Sequence, residues 1–332
     1  AMSTAPSPHA NGQYGLLNAG VGFELHEELR ARTIPALLKQ AGYRTGIMGK
    51  LHVGPENSFP FDLRIKADTR DVKAAAAEAA AFLREQSDAP FFLMANYSDP
   101  HVMGRSPRPP AEAFPTQYKG VPEQPLKIGE APALPFQQLD ATEQTERVTQ
   151  YYNACMRFDA AVGLLLAELE KAGHANDTLV LFVSDHGPPF FRGKTSCYEG
   201  GVHVPMIAFW PNVFDQGDRT TALVSTVDLL PTILDATGQP VPEGLHGRSL
   251  RNTLDVDQHR EHLASLWILD GLETRRSVAR YARLSLGLIA LAAPAELLRA
   301  VQRAGLDSVA HAETCFGLAR AYADRDVVPA AE

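Results

Sequence analysis

Asp185 and His186 stand side by side at the end of an apolar run, Thr178-Leu-Val-Leu-Phe-Val-Ser-Asp-His-Gly187. A carboxylate and an imidazole are both metal donors and proton carriers. The β-branched run before them reads as a buried parallel strand that delivers them to its carboxyl end, where open α/β sheets carry their sites. An Asp-His pair also occurs as a plain turn cap, so the pair alone leaves both readings open. The segment that follows, Arg192-Gly-Lys-Thr-Ser-Cys-Tyr-Glu-Gly-Gly-Val-His-Val-Pro205, is rich in glycine and carries Lys194. Lys50 and His52 sit in Gly49-Lys-Leu-His, and His101 closes Ser98-Asp-Pro-His.

These motifs, taken in order, resemble the sulfatases of the alkaline phosphatase superfamily. The resemblance runs from about His9 to about Leu254. It rests on Gly42-Tyr-Arg-Thr-Gly-Ile-Met-Gly-Lys-Leu-His-Val-Gly54, Ser98-Asp-Pro-His101, Ser184-Asp-His-Gly187, Gly193-Lys194 with Glu199-Gly-Gly201, and Val227-Asp-Leu-Leu-Pro-Thr232. It implies an α/β fold with a mostly parallel sheet between helices and the site at the strands' carboxyl ends, between Gly49, Asp99 and Asp185. It also implies roles. Asp185 and His186 take the later pair of metal-ligand positions, and Lys194 contacts the sulfate group. Lys50 and His52 stand beside the nucleophile and ester oxygens, and His101 lies near the leaving group. Glu199 is expected to brace the glycine turn, with His203 and His246 structural.

Hydrolysis of a sulfate or phosphate ester requires neutralised equatorial oxygens, a nucleophile and a stabilised leaving oxygen. The six residues cover the first and third requirements. The nucleophile is the gap, because the family's Cys-x-Pro-Ser-Arg motif and its early Asp-Asp strand have no counterpart. Ala5-Pro6-Ser7 is a fragment of that motif with no Cys before it and no Arg after it. The chain is therefore expected to be a sulfatase shortened at its amino end. Water on a divalent ion (zinc, manganese or calcium) would replace the missing nucleophile, since its pKa falls from about 15.7 to near 7 on a metal. His52 or His101 would turn inward to complete a His/His/Asp set. Cys197, three residues after Lys194, is the alternative nucleophile. The expected function is metal-dependent hydrolysis of phosphate, phosphonate or sulfate esters. The competing reading is a degenerate relic that binds anions without turnover. A serine esterase is disfavoured because no Gly-x-Ser-x-Gly elbow occurs.

Composition narrows the partners. A net charge of −8 over 332 residues, with no basic cluster, argues against nucleic acid or anionic membrane and leaves a small anionic ester. No run of about 18 apolar residues and no signal-like start are present, so the expected location is cytoplasmic. Cys155, Cys197 and Cys315 are too scattered for a disulfide framework and are expected to be buried free thiols.

Helix and strand alternate as a parallel α/β sheet requires. Helices are predicted over Glu24–Ala41, Asp71–Gln86, Thr145–Ala172 and Thr226–Thr237. Strands are predicted over Tyr43–Met48, Ala89–Asn96, at the Asp-His run and over Val204–Trp210. Residues 103–142, rich in proline, are expected to form a loop near the mouth of the site. An α/β domain over residues 1–254 is followed by a mainly helical extension, 255–332. There Leu284–Ala293 is apolar enough to cover the slot left by the missing strand or to pack against a second chain, favouring a homodimer.

Overall fold

The computed structural model describes residues 4, 7–13, 23–103, 114, 121–137, 142–211, 213, 214, 220 and 222–252. The predicted extension, Leu284–Ala293 and Cys315 lie outside the described residues, and with them the expected dimer contact. The chain divides into two compact units, residues 3–218 and a second from residue 219.

The first unit begins with a short helix α1 (Pro8–Asn11). The helix predicted over Glu24–Ala41 is two pieces, a 3-10 segment Glu27–Arg32 and α2 (Ile34–Gln40). Thr33 between them is extended, and Pro35 in the first turn of α2 has no N–H to continue a helix from upstream, so the break falls there. β1 (Arg44–Gly49), β2 (Leu63–Ile65) and β3 (Phe91–Asn96) form a parallel sheet in the order β2-β1-β3. Between β2 and β3 lies α3 (Val72–Leu83), capped by the Asp71 carboxylate, which accepts the Ala74 N–H.

The alanines of α3 allow close packing. Ala75, Ala79, Phe82 and Leu83 bury one face against Met48, Ile65 and Leu169, with Leu93 and Ala95 of β3 alongside. Leu169 belongs to α4 (Thr142–Lys171), the longest helix, so α3 and α4 cover one face of the sheet together. Burial of Phe82 and its neighbours stabilises this layer, and truncating Phe82 to alanine would cost about 3–5 kcal/mol. A separate cluster of Leu25, Leu29 and Phe59 packs on Leu51, Val53 and Phe61.

β4 (Val180–Val183) departs from expectation. It pairs antiparallel with β5 (Met206–Phe209) as a separate two-stranded sheet, and all four of its residues are only half-buried. The reason is the connection. Residues 184–205 contain no crossover, only the one-turn α5 (Glu199–Val202), so the chain re-enters at the end where β4 stops and must run back.

Among the described residues no strand joins β3 to β4; α4 ties them instead. The Phe158 ring lies 5.6 Å from both Tyr97, beyond β3, and Phe182 of β4. At the opposite end, Phe91 of β3 meets His174 at 5.3 Å, and Val180 packs on the cluster that holds Phe91. Starts lie by starts and ends by ends, so β4 runs in the same direction as β3.

In the second unit Ser225 and Asp228 form a reciprocal capping box over a 3-10 turn, Thr226–Asp228. α6 (Leu229–Ala236) follows, with Pro231 tolerated in its first turn and Leu230 and Leu234 buried.

Candidate active site

Lys50 and His52 follow β1, His101 follows β3, and Asp185 and His186 follow β4. Each element therefore hands its chemical group to the same end. Gly49 makes the first delivery sterically possible: its φ is +83°, and a Cβ there would lie 1.9 Å from the Asn96 carbonyl oxygen. Asn96 Nδ2 donates to the Lys50 carbonyl at 2.9 Å and fixes the departing chain.

Lys194 returns to this end by a tight coil. The Gly187 N–H donates to the Gly201 carbonyl at 2.9 Å, and the Lys194 N–H donates to the Pro188 carbonyl at 2.8 Å. A Cβ on Gly187 would lie 1.7 Å from the Gly200 oxygen, so the glycines predicted to matter do so by close backbone approach. Arg192 and Thr195, flanking Gly193-Lys194, both have positive φ, 61° and 68°. Such strain in non-glycine residues collects at ligand clamps and functional turns. Phe190 packs on Phe114 at 6.0 Å, which places that residue beside the coil.

The coil brings Lys194 Nζ to 3.5 Å from His101 Nε2. The other ring nitrogen of His101 lies 2.7 Å from the Val102 carbonyl. A carbonyl only accepts, so Nδ1 carries a proton and Nε2 is the ring nitrogen that faces the lysine. His186 is built alike. Its Nδ1 lies 2.8 Å from the Gly187 carbonyl, and its Nε2 faces Asp185 Oδ2 at 3.4 Å.

His52 registers the field of the cluster. Burial holds its pKa below the ordinary imidazole value, and the charges of Lys50, Lys194 and His101 push it the same way, while Asp185 opposes them. Lys50, His52, His101, Lys194 and Asp185 thus lie within one electrostatic neighbourhood.

The metal set expected from the sequence is not assembled. Among the described residues no three His, Cys, Asp or Glu side chains converge. Asp185 and His186 form a pair, and neither His52 nor His101 turns in to make the third member. Catalytic zinc takes about three protein ligands and calcium about six or more oxygens. The described residues therefore do not fit a divalent ion, and no chemical step below runs through one. The His101 ring is instead held between Lys194 and the Val102 carbonyl. Glu199 Oε2 lies 3.3 Å from His203 Nδ1, both side chains being exposed. Cys197 is exposed rather than buried, and Cys155 is half-buried.

Asp99, Arg70 and Arg157 hold the His101 turn. Asp99 is buried and takes Arg70 Nε on one oxygen at 3.0 Å and Arg157 Nε on the other. Arg70 also donates to the His101 carbonyl at 2.8 Å. Asp99 was within reach of sequence reasoning through Ser98-Asp-Pro-His101; Arg70 and Arg157 come from other elements and gave no signal. Thr4 was also passed over. It lies two residues before Pro6, where the family motif has its cysteine, and its buried Oγ1 accepts from Asn11 Nδ2 at 3.3 Å.

Residues 26–239 match the family model "Sulfatase". Human N-sulphoglucosamine sulphohydrolase is 34% identical over 286 residues, 77% of this chain and 56% of that protein. Human arylsulfatase A is 39% identical over 102 residues, 27% of this chain and 20% of that protein. Among solved structures, a phosphonate monoester hydrolase from Silicibacter pomeroyi superposes with a TM-score of 0.53 at 18% identity, over 76% of this chain and 70% of that one. The chain belongs to the sulfatase family, within the alkaline phosphatase superfamily. It spans little more than half of the human sulphohydrolase.

Proposed function

We propose that this chain is a hydrolase of sulfuric or phosphoric esters, phosphonates included, whose described residues form the anion-binding side of the site. The observation that carries this reading is the convergence of Lys50, His52, His101 and Lys194 from two strand ends and a coil. Lys50 and Lys194 neutralise the non-bridging oxygens of the ester, the interaction that gains most as charge shifts toward the leaving oxygen. His52, kept neutral by its surroundings, is available to accept a proton. Water attacks the central atom and gives its proton to His52, while His101, protonated from solvent at Nε2 beside Lys194, gives that proton to the leaving oxygen as its bond breaks.

The relatedness to an N-sulphoglucosamine sulphohydrolase and the fold shared with a phosphonate monoester hydrolase support this range of substrates. The divalent ion implied by family membership enters as a testable addition, with Asp185 and His186 as the contribution of the described residues. The alternative, an anion-binding relic, is favoured by one observation: two metal donors without a third among the described residues.

The test is hydrolysis of aryl sulfate, phosphate, phosphonate and phosphotriester substrates by metal-stripped protein, with zinc, manganese or calcium added back. Turnover that Asp185→Ala abolishes supports a hydrolase. Absence of turnover with every ion, alongside retained sulfate binding, would select the relic.

A further inference from the structure

A groove of about 410 Å³ opens where β1 and β2 end, lined by Lys50, Arg64, Lys66, Asp68, Thr69 and Ser98. Its volume falls in the range of about 300–1,000 Å³ usual for small-molecule sites, more room than one oxyanion needs. Lys50 belongs to both the groove and the cluster around His52, so the groove adjoins the anion pocket with one side chain between them.

The groove is positive. Arg64 is met by Glu56 at 3.1 Å, but no carboxylate lies within ion-pair distance of Lys50 or Lys66 among the described residues. Lys66 is exposed directly after β2. The one acid on the wall, Asp68, already accepts the Arg70 N–H at 3.0 Å.

The floor adds a donor. Thr69 Oγ1 accepts the Ser98 N–H at 2.9 Å and lies 2.8 Å from Ser98 Oγ. Two hydroxyls hold two hydrogens, and their mutual bond uses one; the other is left for a ligand oxygen.

We propose that this groove is a second anion subsite for an acidic group (sulfate, phosphate or carboxylate) carried on the same substrate as the reacting ester. Lys66, Lys50 and the Thr69–Ser98 hydroxyl pair are its donors. The substrate is then a polyanion, such as a sugar bearing two acidic groups, rather than a simple aryl monoester. This rests on the ester-hydrolase reading for the position of the reacting group, and on the groove alone for the second.

The test is calorimetric titration of the full chain with a glucosamine bearing one sulfate, a glucosamine bearing two, and inorganic sulfate. The disulfated sugar is expected to bind about tenfold more tightly than the monosulfated one, an advantage that shrinks as salt is raised. Lys66→Glu should abolish the advantage while leaving inorganic sulfate and the monosulfated sugar within about twofold of the parent. An unchanged thermal midpoint would show that the variant folds. Equal affinity for the two sugars in the parent, or a Lys66→Glu variant that weakens all three ligands alike, overturns the proposal. A Lys66-dependent advantage in a protein that hydrolyses no ester would sustain the subsite and refute the hydrolase reading.

Discussion

Replacing Asp99 with alanine is expected to be among the most destabilising single changes in the first unit. The Asp99 and Arg157 side chains are 2% and 1% exposed, so removing the carboxylate strips a buried guanidinium of an anionic partner, at about 3–5 kcal/mol. The contact with Arg70, whose side chain is 24% exposed, adds about 1 kcal/mol after allowance for solvent screening. In a unit of this size each kcal/mol lowers the midpoint by about 2–4 °C, giving a fall of about 10–20 °C. Urea denaturation followed by circular dichroism measures the free energy, with an unchanged m-value confirming the same transition. Pairing Asp99→Leu with Arg157→Met should cost less than Asp99→Ala alone, because both charges then leave the interior. If Asp99→Ala stays within about 1 kcal/mol of the parent and adds independently to Arg157→Ala, the buried ion triad is not what holds the His101 turn.

Three further outcomes are expected. His52 has a folded-state pKa below its unfolded value, so its contribution to stability is present above about pH 6.5 and lost as pH falls through the lowered value; stability should drop less steeply in His52→Gln over that window, and Lys194→Met should raise the His52 pKa measured by NMR. Gly49→Ala should cost more than about 2 kcal/mol in urea, because the new Cβ meets the Asn96 carbonyl at 1.9 Å in a left-handed backbone, and a neutral result would mean that β1 and β3 are less tightly apposed. Cys197 should react with a thiol reagent well before Cys155, whose thiol is pushed up to about 11 by burial, and Cys197→Ser should remove that early reaction without reducing ester turnover.

The strands were legible because apolar runs of four to six residues ending in Gly-Lys, Ser-Asp or Ser-Asp-His leave little alternative. β1, β3 and β4 lie where the runs predict. The helix pattern over Glu24–Ala41 was read too long because apolar spacing continues across Thr33, and spacing is blind to the missing N–H at Pro35. The direction of β5 was missed for a different reason: whether a strand runs parallel depends on whether its connection crosses over, a property of the whole 184–205 segment. The partners of Asp99 were invisible because Arg70 and Arg157 lie 29 and 58 residues away in the chain.

The sequence by itself determined family, strand ends and the chemical types at those ends, because ligand chemistry is a property of side chains and their order survives in local motifs. Tertiary structure alone decided which groups act together. It set Lys194 against His101, placed His52 in the field of two lysines, opened a basic groove beside Lys50, and left Asp185 and His186 as a pair without a third donor among the described residues. Electrostatic coupling and ligand geometry depend on distances of about 3–6 Å between residues far apart in the chain, and no local pattern encodes those distances.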